Sequence, residues 1–434
     1  MRYSSFDCII SPEIGACIAG YGLWQHSVCK TDDLHVCGFC ADDGTSKILL
    51  VSFDLLGLNR SYSYQLREKC AKILGIPVEN VMFTCTHTHS GPETRSLVAE
   101  PKMLDVEYLT KLEKIVCDAV AGLSDFHACT VAYYSIQVDE NRNRRYVTAD
   151  NCASFLPHRK EMTPIANGIA DKELGCLFFL DPETNEPLYV IGNYAAHPLA
   201  GHAPGIGGLR ISADYPGVFR DYIKSETGAD AMFVSGAAGD LVPHDDELGM
   251  DSVRRTGVNL AKAALVGIID AQRNPARFMM ESPKVGGTSK YFTSPIRKKF
   301  IGRLPPDFDG MTEISPEIQV VAIGDVCFVG VPGELCNEFG LEIKWHSPFR
   351  KAFVAYVSTG YLYYICQTNL VIAGGYEGDC QIFSTRDGVR MLQTAADAMF
   401  DLRDRLFPED AAKEEPYPDF VIRPLVDIPR NRER

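Results

Sequence analysis

Short apolar runs alternate along this chain with amphipathic stretches, and each run is bounded by Gly, Pro or Asp. Five of the runs predict buried strands: KILLVSF, VMFTC, GCLFFL, LYVIGNY and AMFVS. Apolar residues at helical spacing predict helices between or after them, at Ser61–Leu74, Val106–Leu123, Val218–Ser225, 252–271 and Gly388–Leu402. Strands that alternate with helices indicate an α/β fold.

Two stretches share the order strand, helix, strand. In the first, KILLVSF precedes the 61–74 helix and the strand that starts at Val81. In the second, LYVIGNY precedes the 218–225 helix and AMFVS. Parallel strands joined by a right-handed helical crossover are expected for such units. The similarity indicates two related halves around a shared cleft.

The composition is that of a soluble globular protein and excludes some partners. The 434 residues are 46% hydrophobic and carry a net charge of -14, which argues against nucleic acid or an anionic membrane as a partner. No apolar run approaches the roughly 20 residues of a membrane span, so we expect no membrane insertion. The first apolar run is broken at Asp7 and Pro12, and the 15 cysteines are scattered like reduced thiols. Both features favour a cytoplasmic location.

A change of composition near the carboxyl end separates a long domain from a short tail. We predict a single domain over residues 1–407 and a Pro-rich, charged tail over 408–434. The tail is expected to lie over the surface or across a partner subunit in a homo-oligomer.

The candidate chemistry begins at VMFTCTHTHSGPE, residues 81–93, where an apolar run ends in two histidines and a Gly-Pro turn. Alternate side chains of a strand share a face, so His87 and His89 are expected side by side, with their backbones roughly 6–7 Å apart. Two imidazoles on one face can share a metal ion, and open α/β sheets keep ligands at the carboxyl ends of their strands. The alternative is a pair of surface histidines on an edge strand.

Two other polar residues also end apolar runs. His197 follows LYVIGNYAA, and Glu334 follows VCFVGVPG, where a carboxylate is costly to bury without a cation. The alternatives to a ligand role are a hydrogen-bonded core histidine and a solvated acid in a turn.

Six motifs occur in a characteristic order: THTHSGP, NYAAHP, ISADYPG, GAAGD, VPGE and a Tyr-rich stretch that ends in GGYE. In this set and order the chain resembles the catalytic domain of the neutral, non-lysosomal ceramidase family. The resemblance implies mixed β-sheets flanked by helices, a Zn²⁺ site and a small-molecule substrate. The family's four protein ligands of zinc match His87, His197, Glu334 and Tyr364. By its residues alone, the Tyr-rich strand around Tyr364 is more typical of a core or a cleft wall, and only the resemblance singles out Tyr364.

The resemblance also implies roles around the metal. His89 matches a histidine that hydrogen-bonds the substrate or carries a proton, and Tyr376 matches a tyrosine that donates to a developing oxyanion. Arg144 matches an arginine that contacts a polar group of the substrate; the alternative is one member of a solvated basic cluster. Asp214 and Asp240 either orient histidines or cap the helices that follow them.

One departure separates the chain from ceramidases. Where they carry a serine in a Gly-Asp-Val-Ser-Pro-Asn stretch, residues 239–244 read GDLVPH, and Val242 replaces the serine. Valine cannot act as a nucleophile, and we expect no counterpart of the family's carboxy-terminal sandwich domain, because only about 30 residues follow the last predicted helix. We therefore predict a zinc-dependent hydrolase that cleaves an amide, or less favourably an ester, of a small polar substrate with metal-activated water. The alternatives are a zinc-dependent lyase or isomerase acting on a hydroxylated small molecule, and a non-catalytic zinc-stabilised binding protein.

Overall fold

A computed structural model of the chain describes residues 1–20, 25–95, 104–147, 153–154, 168–201, 209–244, 249–302, 304, 308 and 310–411. The helices within these ranges are α1 (Arg60–Leu74), α2 (Val106–Ala121), α3 (Asp214–Thr227), α4 (Met250–Arg273), α5 (Pro275–Phe278), α6 (Asn337–Trp345), α7 (Thr368–Ala373), α8 (Tyr376–Cys380), α9 (Gly388–Leu406) and α10 (Pro408–Ala411). Short 3₁₀ turns lie at Val78–Asn80 and Lys298–Phe300.

The strands in chain order are β1 (Arg2–Ile9), β2 (Cys29–Lys30), β3 (His35–Asp42), β4 (Lys47–Phe53), β5 (Val81–Cys85), β6 (His127–Ala128), β7 (Thr130–Gln137), β8 (Asn141–Asn143), β9 (Tyr146–Val147), β10 (Ala153–Ser154), β11 (Glu173–Leu180), β12 (Pro187–Tyr194), β13 (Arg210–Ile211), β14 (Asp230–Ser235), β15 (Leu241–Pro243), β16 (Val285–Tyr291), β17 (Ser294–Pro295), β18 (Glu313–Ile314), β19 (Glu317–Ile323), β20 (Val326–Gly330), β21 (Glu334–Leu335), β22 (Lys351–Ala355) and β23 (Tyr364–Ile365).

Three mixed sheets form the framework of the described residues. Their strand orders are β5-β4-β3-β1-β6, β14-β12-β11-β7 and β16-β19-β20-β22. Each contains one parallel pair: β4 with β5, β12 with β14, and β20 with β22. The first two pairs enclose α1 and α3 in the chain and confirm the two predicted strand, helix, strand units. The third encloses α6, so the unit occurs three times and not twice.

Successive residues of the central strands enter different cores. Along β4, Leu50 enters a core shared by all three sheets, whereas Leu49 and Val51 pack in a second core with α1 and α2. Along β11, Phe179 joins the shared core and Phe178 joins a third core with α3 and α4. Because both faces of these strands are buried, their sequences read as continuous apolar runs.

The helix ends follow local chemistry. α1 stops at Gly75, whose φ of 65° is left-handed and easy only for glycine. α2 starts after Asp105, whose carboxylate accepts a hydrogen bond from the Tyr108 amide. α3 starts four residues earlier than predicted because Pro216 lies in its first turn, where no amide hydrogen is needed.

Parts of the predicted organisation stay predictions. Pro408–Ala411 forms α10, but residues 412–434 of the predicted tail lie outside the described residues. The extent of the single domain over 1–407 is likewise a prediction. None of the helices in the described ranges is long and apolar enough to cross a membrane.

Candidate metal centre

The candidate site lies where the parallel pairs end. His87 follows β5, His197 follows β12, Glu334 follows β20 and Tyr356 follows β22. Carboxyl ends of parallel strands are where open sheets of α/β proteins keep their ligands. All four of these side chains are buried, with at most 3% of their surface exposed.

The two histidines of THTH lie beyond the strand and not within it. β5 ends at Cys85, and His87 has a left-handed φ of 69°. The prediction that His87 and His89 alternate along a strand is therefore wrong, although their rings do lie close, with centroids 5.0 Å apart. A turn brings them together, in which the His87 amide donates to Leu55 O at 2.9 Å and the His89 amide to Pro198 O at 3.0 Å. A strained residue of this kind is common at functional sites.

The imidazoles of His87 and His197 present their Nε2 atoms to each other. His87 Nδ1 lies 2.7 Å from the Leu56 carbonyl oxygen and His197 Nδ1 lies 2.7 Å from that of Ala238. A carbonyl can only accept, so each ring carries a proton on Nδ1, and in the neutral form of the ring the Nε2 lone pair is available to a metal. The two Nε2 atoms are 3.1 Å apart. With bonds of about 2.0–2.1 Å, tetrahedral zinc separates its ligand atoms by about 3.3 Å, so this pair fits a metal ion.

A carboxylate faces the same point. Glu334 Oε2 lies 3.4 Å from His87 Nε2 and 3.3 Å from His197 Nε2. Burial opposes the ionised form of Glu334, but His87 and His197 hold its pKa well below the ordinary value. Burial, with help from Arg144, lowers the pKa of His197 to about 4. The site at neutral pH therefore combines the neutral imidazole of His197 with the buried negative charge of Glu334, an arrangement that favours a bound cation.

Three tyrosines surround Glu334, and just one of them, Tyr364, was predicted from the sequence. The Tyr361 hydroxyl donates to Oε1 of Glu334, and the Tyr356 hydroxyl donates to Oε2 at 3.3 Å. Tyr364 lies directly beside Glu334 in the parallel β21–β23 pair, and its hydroxyl accepts from Arg144 Nη2 at 2.9 Å. Burial and Glu334 raise the pKa of Tyr364 well above its ordinary value, against the effect of Arg144. The position of Tyr356 after a strand with a parallel partner was the signal that could have found it.

His89 completes a group of three histidines whose ligand atoms all lie within 4.8 Å of one another. Its ring packs against the main chain at Gly20, where an added Cβ would lie 2.4 Å from His89 Nδ1. Burial and the neighbouring His87 and His197 lower the pKa of His89 well below its ordinary value, so the ring is neutral at neutral pH. The assignment of His87 to the metal and His89 to the substrate stays a prediction.

The other two predicted catalytic residues lie on the Tyr364 side. Arg144 is 5% exposed and donates to Glu377 Oε1 at 2.8 Å through Nε and to the Gly239 carbonyl oxygen at 2.8 Å through Nη2. Two of its three nitrogens are therefore engaged within the protein. The Tyr376 ring centroid lies 5.3 Å from that of Tyr364, and 42% of Tyr376 is exposed. Burial and Glu334 raise the pKa of Tyr376 to about 12, so its phenol stays protonated and can donate.

The two aspartates and the valine near the site are part of its framework. Asp240 accepts a hydrogen bond from the Asn337 amide at 2.7 Å, and Asp214 accepts one from the Gly201 amide at 2.8 Å. Both aspartates thus hold main chain, but not as caps of the helices that follow them, since neither α3 nor α4 has a side-chain cap hydrogen bond. Val242 is 6% exposed and lies in the short β15 strand.

Comparison with known proteins identifies the fold of this chain. No protein-family model matches the chain, and no curated protein matches its sequence. Among solved structures, the neutral ceramidase from Pseudomonas aeruginosa superposes with a TM-score of 0.76 at 16% identity, covering 93% of this chain and 75% of that one. A ceramidase complexed with C2 gives a TM-score of 0.76 at 17% identity, with the same coverage of 93% and 75%. The chain therefore has the mixed α/β fold of the neutral ceramidase catalytic domain, as the six motifs predict.

Proposed function

We propose that this protein is a zinc-dependent hydrolase that cleaves an amide bond of a small polar substrate with activated water. The main support is the convergence of two Nδ1-protonated imidazoles and an ionised, buried carboxylate on one point. Neutral imidazole nitrogen and carboxylate oxygen are ligands that suit zinc. The ceramidase-like fold supports a hydrolase independently of this geometry.

In this proposal His87, His197 and Glu334 hold the metal, with Tyr364 as the fourth ligand. Zinc in such a site polarises a carbonyl oxygen and activates water. The carbonyls of Leu56 and Ala238 keep both imidazoles in the tautomer that binds metal. Because the protein offers this route to a nucleophile, a hydrolase can act with Val242 where ceramidases carry a serine.

The remaining side chains handle protons and orientation. Tyr376 is protonated at neutral pH and half-exposed, so it can donate to an oxygen on which negative charge develops. His89 is neutral and can exchange a proton with the substrate or with water. Arg144 holds the Tyr364 hydroxyl and orients that side of the site.

Metal analysis followed by an activity panel tests the proposal. The panel contains N-acyl amides and matched esters whose acyl chains run from acetyl to palmitoyl, so that small polar and lipid substrates are separated. We expect His87→Ala to lose both zinc and turnover, whereas His127→Ala, at an exposed position on β6, should keep both. Fully zinc-loaded protein that hydrolyses nothing in the panel would refute the proposal.

Heavy-oxygen water separates hydrolysis from the lyase or isomerase alternative. Hydrolysis places solvent oxygen in the product acid, and the expected result is one labelled oxygen per acid formed. A turnover product without an acid, or an acid without the label, would favour the non-hydrolytic reaction.

A further inference from the structure

The segment NRNRR, residues 141–145, contributes two buried arginines, Arg144 and Arg145, to one glutamate. Glu377 is 1% exposed; its Oε1 accepts from Arg144 Nε at 2.8 Å and its Oε2 accepts from Arg145 Nη1 at 2.7 Å. Each carboxylate oxygen therefore binds a different guanidinium. The roles inferred above involve neither Glu377 nor Arg145.

The contacts of Arg144 transmit this pairing to the metal centre. While Nε is held by Glu377, Nη2 donates to the Tyr364 hydroxyl at 2.9 Å and to the Gly239 carbonyl at 2.8 Å. A guanidinium is planar and rigid, so fixing one edge fixes the direction of the other. Glu377 therefore determines where Arg144 places the hydroxyl of Tyr364.

The contacts of Arg145 transmit the pairing to Tyr376. Arg145 Nη2 donates to the Gly374 carbonyl oxygen at 2.8 Å, and Gly374 and Gly375 both have positive φ, 76° and 88°. These two glycines join α7 to α8, the helix that starts at Tyr376. Arg145 thus holds a turn made of residues that are otherwise free to adopt many conformations.

A stabilising role alone does not explain why Glu377 is buried between two arginines. Buried ion pairs stabilise folded proteins weakly, since desolvation offsets most of their attraction, but their fixed geometry specifies position. We propose that Glu377 and Arg145 are positioning residues: with Arg144 they form a charged clamp that fixes Tyr364 at the metal centre and Tyr376 at the rim of the cleft. The inference rests on the proposed zinc hydrolase and extends it to two residues outside the resemblance.

Zinc affinity, measured by competition with a chelator, tests the clamp without requiring turnover. Glu377→Gln should weaken zinc binding at least tenfold, the usual effect of removing a partner that orients a ligand. The matched control is Glu317→Gln, which cuts a buried pair of the same chemistry, with Arg67 Nη1 2.8 Å from Glu317 Oε2. Equal zinc affinity in the two variants overturns the clamp.

Two further variants separate the parts of the clamp. Arg145→Met leaves Glu377 with Arg144, so we expect zinc affinity within about threefold of wild type but at least a tenfold lower kcat, with KM changing less. Glu377→Asp keeps the charge and should bind zinc with an affinity between wild type and Glu377→Gln, and it replaces the glutamine variant if that one fails to fold. An Arg145→Met variant with wild-type kcat overturns the assignment of Arg145.

The outcomes distinguish this inference from the proposed function. Variants that weaken zinc binding as expected in a protein that hydrolyses no amide support the clamp and refute the hydrolase. An active amidase whose zinc affinity is unchanged in the Glu377 variants supports the hydrolase and refutes the clamp. Wild-type protein that binds no zinc overturns both.

Discussion

Gly20→Ala is the substitution that most directly tests the role of His89. Gly20 has a φ of 102°, and an added Cβ would lie 2.4 Å from His89 Nδ1 and 2.8 Å from Leu56 Cδ1. Ordinary van der Waals contact begins at 3.4 Å. The imidazole must therefore move by about 1 Å, while His87 and His197 keep their carbonyl hydrogen bonds.

Two effects add in the expected loss of stability. A left-handed alanine costs about 1–3 kcal/mol of backbone strain, and packing an extra methyl into a filled space costs about 1–3 kcal/mol more. The free energy of unfolding of Gly20→Ala should therefore fall by about 2–6 kcal/mol. A displacement of about 1 Å in a group that acts on the substrate can lower the rate about 100-fold.

Gly15→Ala is the matched control. Gly15 has a φ of 103°, and nothing lies within 4 Å of an added Cβ. In urea unfolding, the free energy of unfolding should fall by the backbone strain alone for Gly15→Ala, and by the strain and the overpacking together for Gly20→Ala. Zinc affinity should be unchanged in both, and turnover of the best amide should fall in Gly20→Ala only. Equal stabilities together with equal rates would refute the placement of His89 on the substrate side.

Three other predictions follow from buried charges and the metal. Arg67→Met leaves the Glu317 carboxylate buried without its guanidinium, so urea unfolding should show a loss of about 3–5 kcal/mol; a loss under about 1 kcal/mol contradicts this. Burial raises the pKa of the Asp214 carboxyl group from 3.8 to about 7. The protonated carboxyl group therefore contributes about 4 kcal/mol to the free energy of unfolding below pH 4, and this contribution is lost as the pH rises through 7. Denaturant titrations from pH 4 to 8 should show that Asp214→Asn lacks this component, and identical pH profiles would contradict it. Chelation of zinc should lower Tm, and Tm should rise again with free zinc concentration; a Tm independent of zinc would argue against binding to the folded state.

Periodicity was enough to predict α1 and the five buried strands of the first two sheets, but not the third strand, helix, strand unit. α1 buries Leu66 and Cys70, which lie four residues apart and so share one face of the helix, and the doubly buried strands stand out because both of their faces are apolar. The residues that end those strands, such as His197 and Glu334, were visible for the same reason: a polar side chain interrupts an apolar run at a fixed place in the fold. Helix ends were less accurate, as the first turn of α3 shows.

The details of the site depended on approaches between distant parts of the chain. Arg144 and Glu377 are separated by 233 residues and Tyr361 and Glu334 by 27, and no local pattern encodes either contact. The left-handed backbone of His87 was also hidden, because a non-glycine residue adopts it only when surrounding structure imposes it. Tertiary contacts thus decide which tyrosine hydroxyl reaches Glu334, whereas the sequence pattern shows only that several tyrosines lie close together in the chain.

The main-chain carbonyls behind His87 and His197 have a consequence for mutational scanning. The oxygens of Leu56 and Ala238 belong to the backbone, so no side-chain replacement deletes them. Libraries of point substitutions will therefore register the imidazoles as essential and leave the groups that orient them undetected. Insertions or deletions of a single residue in 54–58 or 236–239 redirect those carbonyls, and they are the changes to which this centre should be least tolerant.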